Sequence, residues 1–377
     1  MSGLRPPDMR RATDASEHLF GASARDDNNR QGKILKQGHD FQHVLGNPPD
    51  AQPAFTVKQQ SANLCDAGSR QWTGTVNVTD EKSMFFWYFE SRHQPEKRPG
   101  YLVAQRWPWR DRQPIGIGFS SVKDRDDMAK NLHEGAYELQ KFLSILTSKV
   151  FPELASKPWH IAGESMGGHY VTYYLHHILT QELPDAPLDI KVSSAIIVDG
   201  YIDFSRQAVG YYDFFCQDWR GDGSSPLINT EECEDMASYI PELGKYFLAN
   251  VKPGGWNPYD SRRPCIEPPL CSDLDDGPAL EYLNKPWVQE LLGFHNVSFE
   301  LIDCDLDRRW DDDRSAYLPT TKQLTWLLDN TNLHILFING NNDIIVNTPG
   351  QMRLLDEQPW KREAWFRAQS FGEWYFK

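Results

Sequence analysis

The sequence predicts an α/β protein with a mostly parallel central sheet flanked by helices and an inserted cap region. Three observations predict it. Short apolar runs at 159–163, 192–198 and 333–338 have the length of buried strands. A helical segment from Gly167 to about Gln181 separates the first two runs, at the spacing of a crossover unit joining parallel strands. Between Tyr211 and Trp310 the pattern dissolves into Pro, Gly, Cys and charges, as expected of a cap over the carboxyl edge of the sheet, where open α/β folds bind ligands.

Taken in order, residues 1–53 balance their charges, scatter their apolar side chains and show neither period, so they are expected to be a disordered N-terminal segment. They also lack the continuous apolar stretch of a secretory signal peptide. Residues 54–210 are expected to form the first part of the core. It opens with a hairpin, because β-branched and aromatic residues from Trp72 to Val78 and from Met84 to Phe89 flank the polar turn Thr79-Asp80-Glu81-Lys82. Met128, Leu132, Ala136, Leu139, Leu143, Leu146 and Val150 recur at three- and four-residue steps, predicting an amphipathic helix that Pro152 ends. Residues 211–310 are the expected cap, and 311–377 the second part of the core.

Composition narrows the function classes. The 377 residues are 40% hydrophobic with 6 Cys, enough for a real core and too few cysteines for a disulfide miniprotein. Lys plus Arg number 39 against 53 Asp plus Glu, a net charge of −14 that argues against a nucleic-acid partner. No apolar run is long enough to span a membrane. Aromatics at 12% suit either an aromatic-lined cleft or a Trp-rich core. Cys216, Cys233, Cys265 and Cys271 fall in the loop-like stretch, where disulfides of an oxidising compartment would help. The sequons at Asn77 and Asn296 point the same way. No zinc spacing occurs, and neither metal nor cofactor is expected. Asp303, Asp305 and Asp307 alternate as in a calcium loop, but Arg308 stands where Gly is needed and Arg314 where the closing carboxylate belongs; with Asp311-Asp312-Asp313 they read as a solvated acidic loop.

Chemistry concentrates at Gly163-Glu164-Ser165-Met166-Gly167, which follows an apolar strand and opens a helix, the context a G-x-S-x-G nucleophile turn requires. A turn this sharp needs neighbours without a Cβ, and the helix amino terminus favours developing negative charge. The wider string from Trp159 to Tyr170 resembles the nucleophile turn of the serine carboxypeptidase family. In the same order, Thr73-Gly74 with 85–92, then 113–120, 338–347 and Gln358-Pro359-Trp360 are similar to other segments of that family.

The resemblance implies an α/β-hydrolase fold and removal of carboxy-terminal residues from peptides through an acyl-enzyme. Ser165 would attack the carbonyl, with Gly163 and Met166 framing the site and the Met166 N–H as one oxyanion donor. Asp343 would orient the catalytic imidazole. Glu164, kept protonated by its surroundings, would bind the terminal carboxylate of the substrate. Peptide or protein C-termini are the implied partners, with no nucleic acid and no membrane, in a vacuolar or secreted setting. Two departures follow. The Asn-Gly-Gly-Pro-Gly-Cys-Ser-Ser segment of the family, which gives the second oxyanion donor, is missing between Val103 and Gln113, leaving Cys304 without its implied partner. No His follows Asp343, so the His-Met-Val-Pro segment is not reached, and His169, His176 and His177 read as packing or surface residues. The chain as written is therefore expected to be inactive; a non-catalytic peptide binder and an acyltransferase are the alternatives.

Overall fold

The computed structural model describes residues 54–104, 115–223, 226–238, 252–266, 277–300, 318–370 and 372. The N-terminal segment, Gln113, the aspartates around Asp305, Cys271 and Cys304 lie outside them.

A parallel sheet carries the site. Strands β4 (Gly100–Ala104), β6 (Pro158–Glu164), β7 (Lys191–Val198) and β10 (His334–Ile338) lie in the order β10-β7-β6-β4. Every neighbouring pair is parallel, so each connection must cross over a face of the sheet, and the long helix α2 (Gly167–Thr180) does so between β6 and β7. All the apolar runs expected to be strands are strands. A second, antiparallel sheet is formed by β1 (Phe55–Gln60), β2 (Gln71–Thr79), β3 (Lys82–Phe89) and β5 (Ser121–Val122), with the expected hairpin at its centre.

The helix expected from Met128 starts later, as α1 (Leu132–Ile145), and continues into a π-turn at Leu146–Val150. Asn131 sets the start. Its side chain accepts the Glu134 N–H at 3.0 Å, and the Glu134 carboxylate accepts the Lys130 N–H at 2.8 Å, so orphan donors at the helix entrance are satisfied there and Met128 joins the core from the preceding loop. The main core lies between the two sheets and α1 and α2, around Val76, Phe86, Phe142, Leu143, Tyr170 and Ile197. The aromatic surplus is spent here. Trp72 stacks on Tyr88 at 5.5 Å, and Phe151 closes on the same pair.

Helices occupy much of what reads as loop in the sequence. After α3 (Phe204–Ala208), Cys216 ends α4 (Gly210–Cys216), and its disulfide partner Cys233 lies in α5 (Thr230–Ser238). Cys265 is disulfide-bonded as well. The Cys216–Cys233 bridge ties α4 to α5, and both helices are too short to show a helical period in the sequence, which is why composition alone made the stretch look irregular. The two-stranded hairpin of β8 (Trp256–Asn257) and β9 (Asp260–Pro264) follows, and then α6 (Pro278–Leu283) and α7 (Pro286–Leu292); just past α7, Phe294 meets Phe85 of β3 at 5.7 Å and stacks on Phe119 at 4.7 Å. The chain returns through α8 (Thr321–Asn330) to β10, then α9 (Thr348–Glu357) and α10 (Glu363–Arg367). Among the described residues, no helix is long and apolar enough to cross a membrane.

Candidate active site

β6 delivers its chain to a single turn before α2 begins, and Ser165 is the residue at that turn, with φ of +57°. A side chain with a Cβ rarely adopts this left-handed conformation, and it persists only where surrounding bonds over-determine it. They do so here. The Ser165 N–H donates to Val198 O at 2.9 Å, and Ser165 O accepts from both Gly168 and Tyr201 N–H at 2.9 Å. The glycines flanking the turn are a packing requirement. A Cβ on Gly163 would lie 2.7 Å from Gly167 O and from the Val171 side chain, so α2 could not close on β6. Met166 is the last residue before α2, and its side chain packs partly buried between the two core clusters.

The acid loop lies across the sheet. β7 separates β6 from β10, and the loop after β10 curls back toward the turn. Asp343 Oδ1 accepts the Val346 N–H at 3.0 Å, while Asn339 Nδ2 donates to Val346 O at 2.8 Å and closes the loop on itself. The buried hydroxyls of Tyr201 and Tyr211 both donate to Ile345 O, each at 2.9 Å. From the outside, Pro258 O accepts the Ile344 and Ile345 N–H groups at 3.1 Å, and the Ser261 N–H donates to Asn342 O at 2.8 Å, so the β8–β9 hairpin is stitched to the acid loop. Burial holds the Asp343 carboxyl well above the usual carboxylate range. The nearby Asp199 charge pushes the same way, the Val346 and Ile345 N–H groups oppose it, and Glu164 adds a smaller push upward.

One cavity of about 220 Å³ joins these parts. Glu164, Ser165 and Asp343 line it, so three of the five residues singled out in the sequence converge, while Gly163 and Met166 do not line it. Asp199, Asp260 and Arg262 line the same cavity and were not foreseen. Asp199 could have been found, because it stands at the carboxyl end of a central strand, the edge where α/β folds place ligands. Asp260 and Arg262, paired by two contacts of 2.8 Å, come from the β8–β9 hairpin, and nothing local to their sequence points to the site. Tyr259 is the one aromatic side chain on the cavity wall among the described residues, so the aromatic surplus of the sequence serves the core rather than a cleft.

The Ser165 side chain is 4% exposed, and its Oγ is buried without a hydrogen-bond partner among the described residues. His169 and His177 are buried on α2 and His176 is half-buried there, packed edge-on against Trp326, as the packing reading expects. Among the described residues, no group of three His, Cys, Asp or Glu side chains could hold a metal ion. Asn296 is exposed in a loop, whereas Asn77 is partly buried within β2.

Residues 112–373 match the serine carboxypeptidase family. Carboxypeptidase Y from Saccharomyces cerevisiae is 27% identical over 376 aligned positions that cover 82% of this chain and 68% of that protein. A vacuolar serine-type carboxypeptidase from the same yeast is 26% identical, covering 82% of this chain and 70% of its own. Among solved structures, the prohormone-processing carboxypeptidase Kex1 from Saccharomyces cerevisiae superposes with a TM-score of 0.60 at 17% identity, over 80% of this chain and 82% of that one.

Proposed function

This chain belongs to the serine carboxypeptidase family, a family of enzymes with the α/β-hydrolase fold, and on that premise we propose that its cavity receives the carboxyl end of a peptide. Ser165 is the nucleophile, Asp343 the acid that orients the imidazole, and Glu164 the side chain that meets the terminal carboxylate of the peptide. The Met166 N–H, at the start of α2, donates to the oxyanion, and Gly163 lets the turn close behind it. The observation that carries this reading is the strained Ser165, set with its neighbour Glu164 in one cavity with Asp343, which comes from a segment far away in the sequence. Residues 211–310 supply the wall opposite the sheet, through the β8–β9 hairpin. The Cys216–Cys233 disulfide fits an oxidising compartment, vacuolar or secreted.

Attack by Ser165 Oγ on the scissile carbonyl forms a C–O bond and releases a proton, which a base must take and later hand to the leaving amine. Among the described residues, no acceptor meets Oγ. Loss of one triad member leaves roughly 10³–10⁴ over water, supplied by binding and the oxyanion hole. We therefore expect the 377 residues by themselves to bind peptide C-termini and to turn over negligibly. The test is incubation with a fluorophosphonate probe and with a blocked dipeptide at acid pH. Peptide binding without labelling supports the reading. Labelling of Ser165 together with measurable hydrolysis refutes the inactivity, and absence of any binding refutes the site.

A further inference from the structure

β7 sits between the strand that carries Ser165 and the strand that precedes Asp343, so nothing in the sheet connects the two directly. The residues just past its end make the connection. Val198 O accepts the Ser165 N–H at 2.9 Å, and the Tyr201 N–H returns to Ser165 O at 2.9 Å. Between them, the Asp199 N–H donates to Ile338 O at 2.8 Å, and Asp199 Oδ1 accepts the Gly340 N–H at 2.6 Å. Asp199 has φ of +42°, a second strained non-glycine residue beside the strained Ser165. Strain at two adjacent points of one site persists only when the bonds around it fix the backbone.

We propose that Asp199 is a positioning residue, which straps the acid loop to the nucleophile turn across β7 and sets the charge environment of Asp343. The proposal rests on the reading of Asp343 as the orienting acid. Two properties of the side chain are used. As an acceptor it holds the Gly340 N–H, two residues past the end of β10, at a short, charge-assisted distance. As a charge it faces Asp343 in the cavity, together with Glu164 from β6 and the hydroxyls of Tyr201 and Tyr211, while Asp260 and Arg262 face the same space from the hairpin. Its negative charge pushes the Asp343 carboxyl further up, after burial has already raised it. An acid in this condition stays neutral to higher pH than an ordinary carboxylate, and a neutral carboxyl cannot stabilise an imidazolium.

Asn and Ala at this position separate the two roles. Asp199→Asn keeps an oxygen for the Gly340 N–H and removes the charge; Asp199→Ala removes both. Hydrogen exchange over 339–347 and the NMR titration of the Asp343 side-chain carboxyl are measured on the whole chain without substrate. Asp199→Ala is expected to speed exchange of the Gly340 amide by roughly tenfold or more, the loss of a bond to a charged acceptor. Asp199→Asn is expected to leave that exchange near the wild-type rate and to move the Asp343 titration to lower pH, which a merely structural role would not do. Unchanged exchange in Asp199→Ala, or an unmoved Asp343 titration in Asp199→Asn, overturns the proposal. Should Asp199→Ala not fold, the titration in Asp199→Asn decides alone. Neither readout involves the reactivity of Ser165, so a failure here leaves the hydrolase reading standing, and a failure of Ser165 to react leaves this result standing.

Discussion

Gly163→Ala tests whether the nucleophile turn depends on close approach of backbone to backbone. The added methyl would sit 2.7 Å from Gly167 O and 2.7 Å from a Val171 methyl. Val171 is 1% exposed and has little room to turn away, and the carbonyl belongs to the first turn of α2. Overpacking of this kind costs about 1–3 kcal/mol, while Gly-to-Ala recovers about 0.4–1 kcal/mol from the unfolded chain. The net loss therefore lies between about 0 and 2.6 kcal/mol, toward the upper end because one of the clashing atoms is backbone. Gly340→Ala is the control, because its Cβ would meet nothing closer than Asp199 Oδ1 at 3.6 Å, an ordinary contact in the same site. Urea unfolding monitored by tryptophan fluorescence reads both. Gly163→Ala should lower the midpoint at constant slope, and Gly340→Ala should leave it within error or raise it slightly. Equal midpoints for the two variants would refute the idea that steric closure of α2 on β6 is what fixes glycine at 163.

Two further predictions concern stability. Asp343 has a raised folded-state pKa, so its contribution is fully present below the unfolded value and is lost as pH rises through the folded one. Asp343→Asn keeps an acceptor for the Val346 N–H and lacks this titration. The variant should therefore gain stability relative to wild type as pH rises above about 4, where the unfolded carboxyl ionises; a stability difference that stays flat with pH contradicts the assignment. The Cys216–Cys233 bridge closes a separation of 17 residues, and replacing both cysteines by Ser should cost about 3 kcal/mol in urea unfolding, with reductant then having no further effect through this bridge. A loss well under 1 kcal/mol would show that α4 and α5 hold together without it.

The sequence by itself determined the strands at 159–163, 192–198 and 333–338, the hairpin at Trp72, and the strand-turn-helix around Ser165, because each is written in side chains that are neighbours along the chain. It also singled out Glu164 and Asp343, but only through resemblance, since nothing in their local pattern distinguishes them from surface acids. Tertiary structure decided the rest. Asp199, Asp260 and Arg262 reach the cavity because β7 lies between β6 and β10 and because a hairpin from a distant segment is stitched to the acid loop. Strand order and loop docking are set by hydrogen bonds between partners far apart in the chain, 144 residues in the case of Tyr201 and Ile345, and no short-range periodicity encodes such pairings. For the same reason the upward shift of Asp343 could not be read in advance, because it comes from burial and from charges brought beside it only when the chain folds.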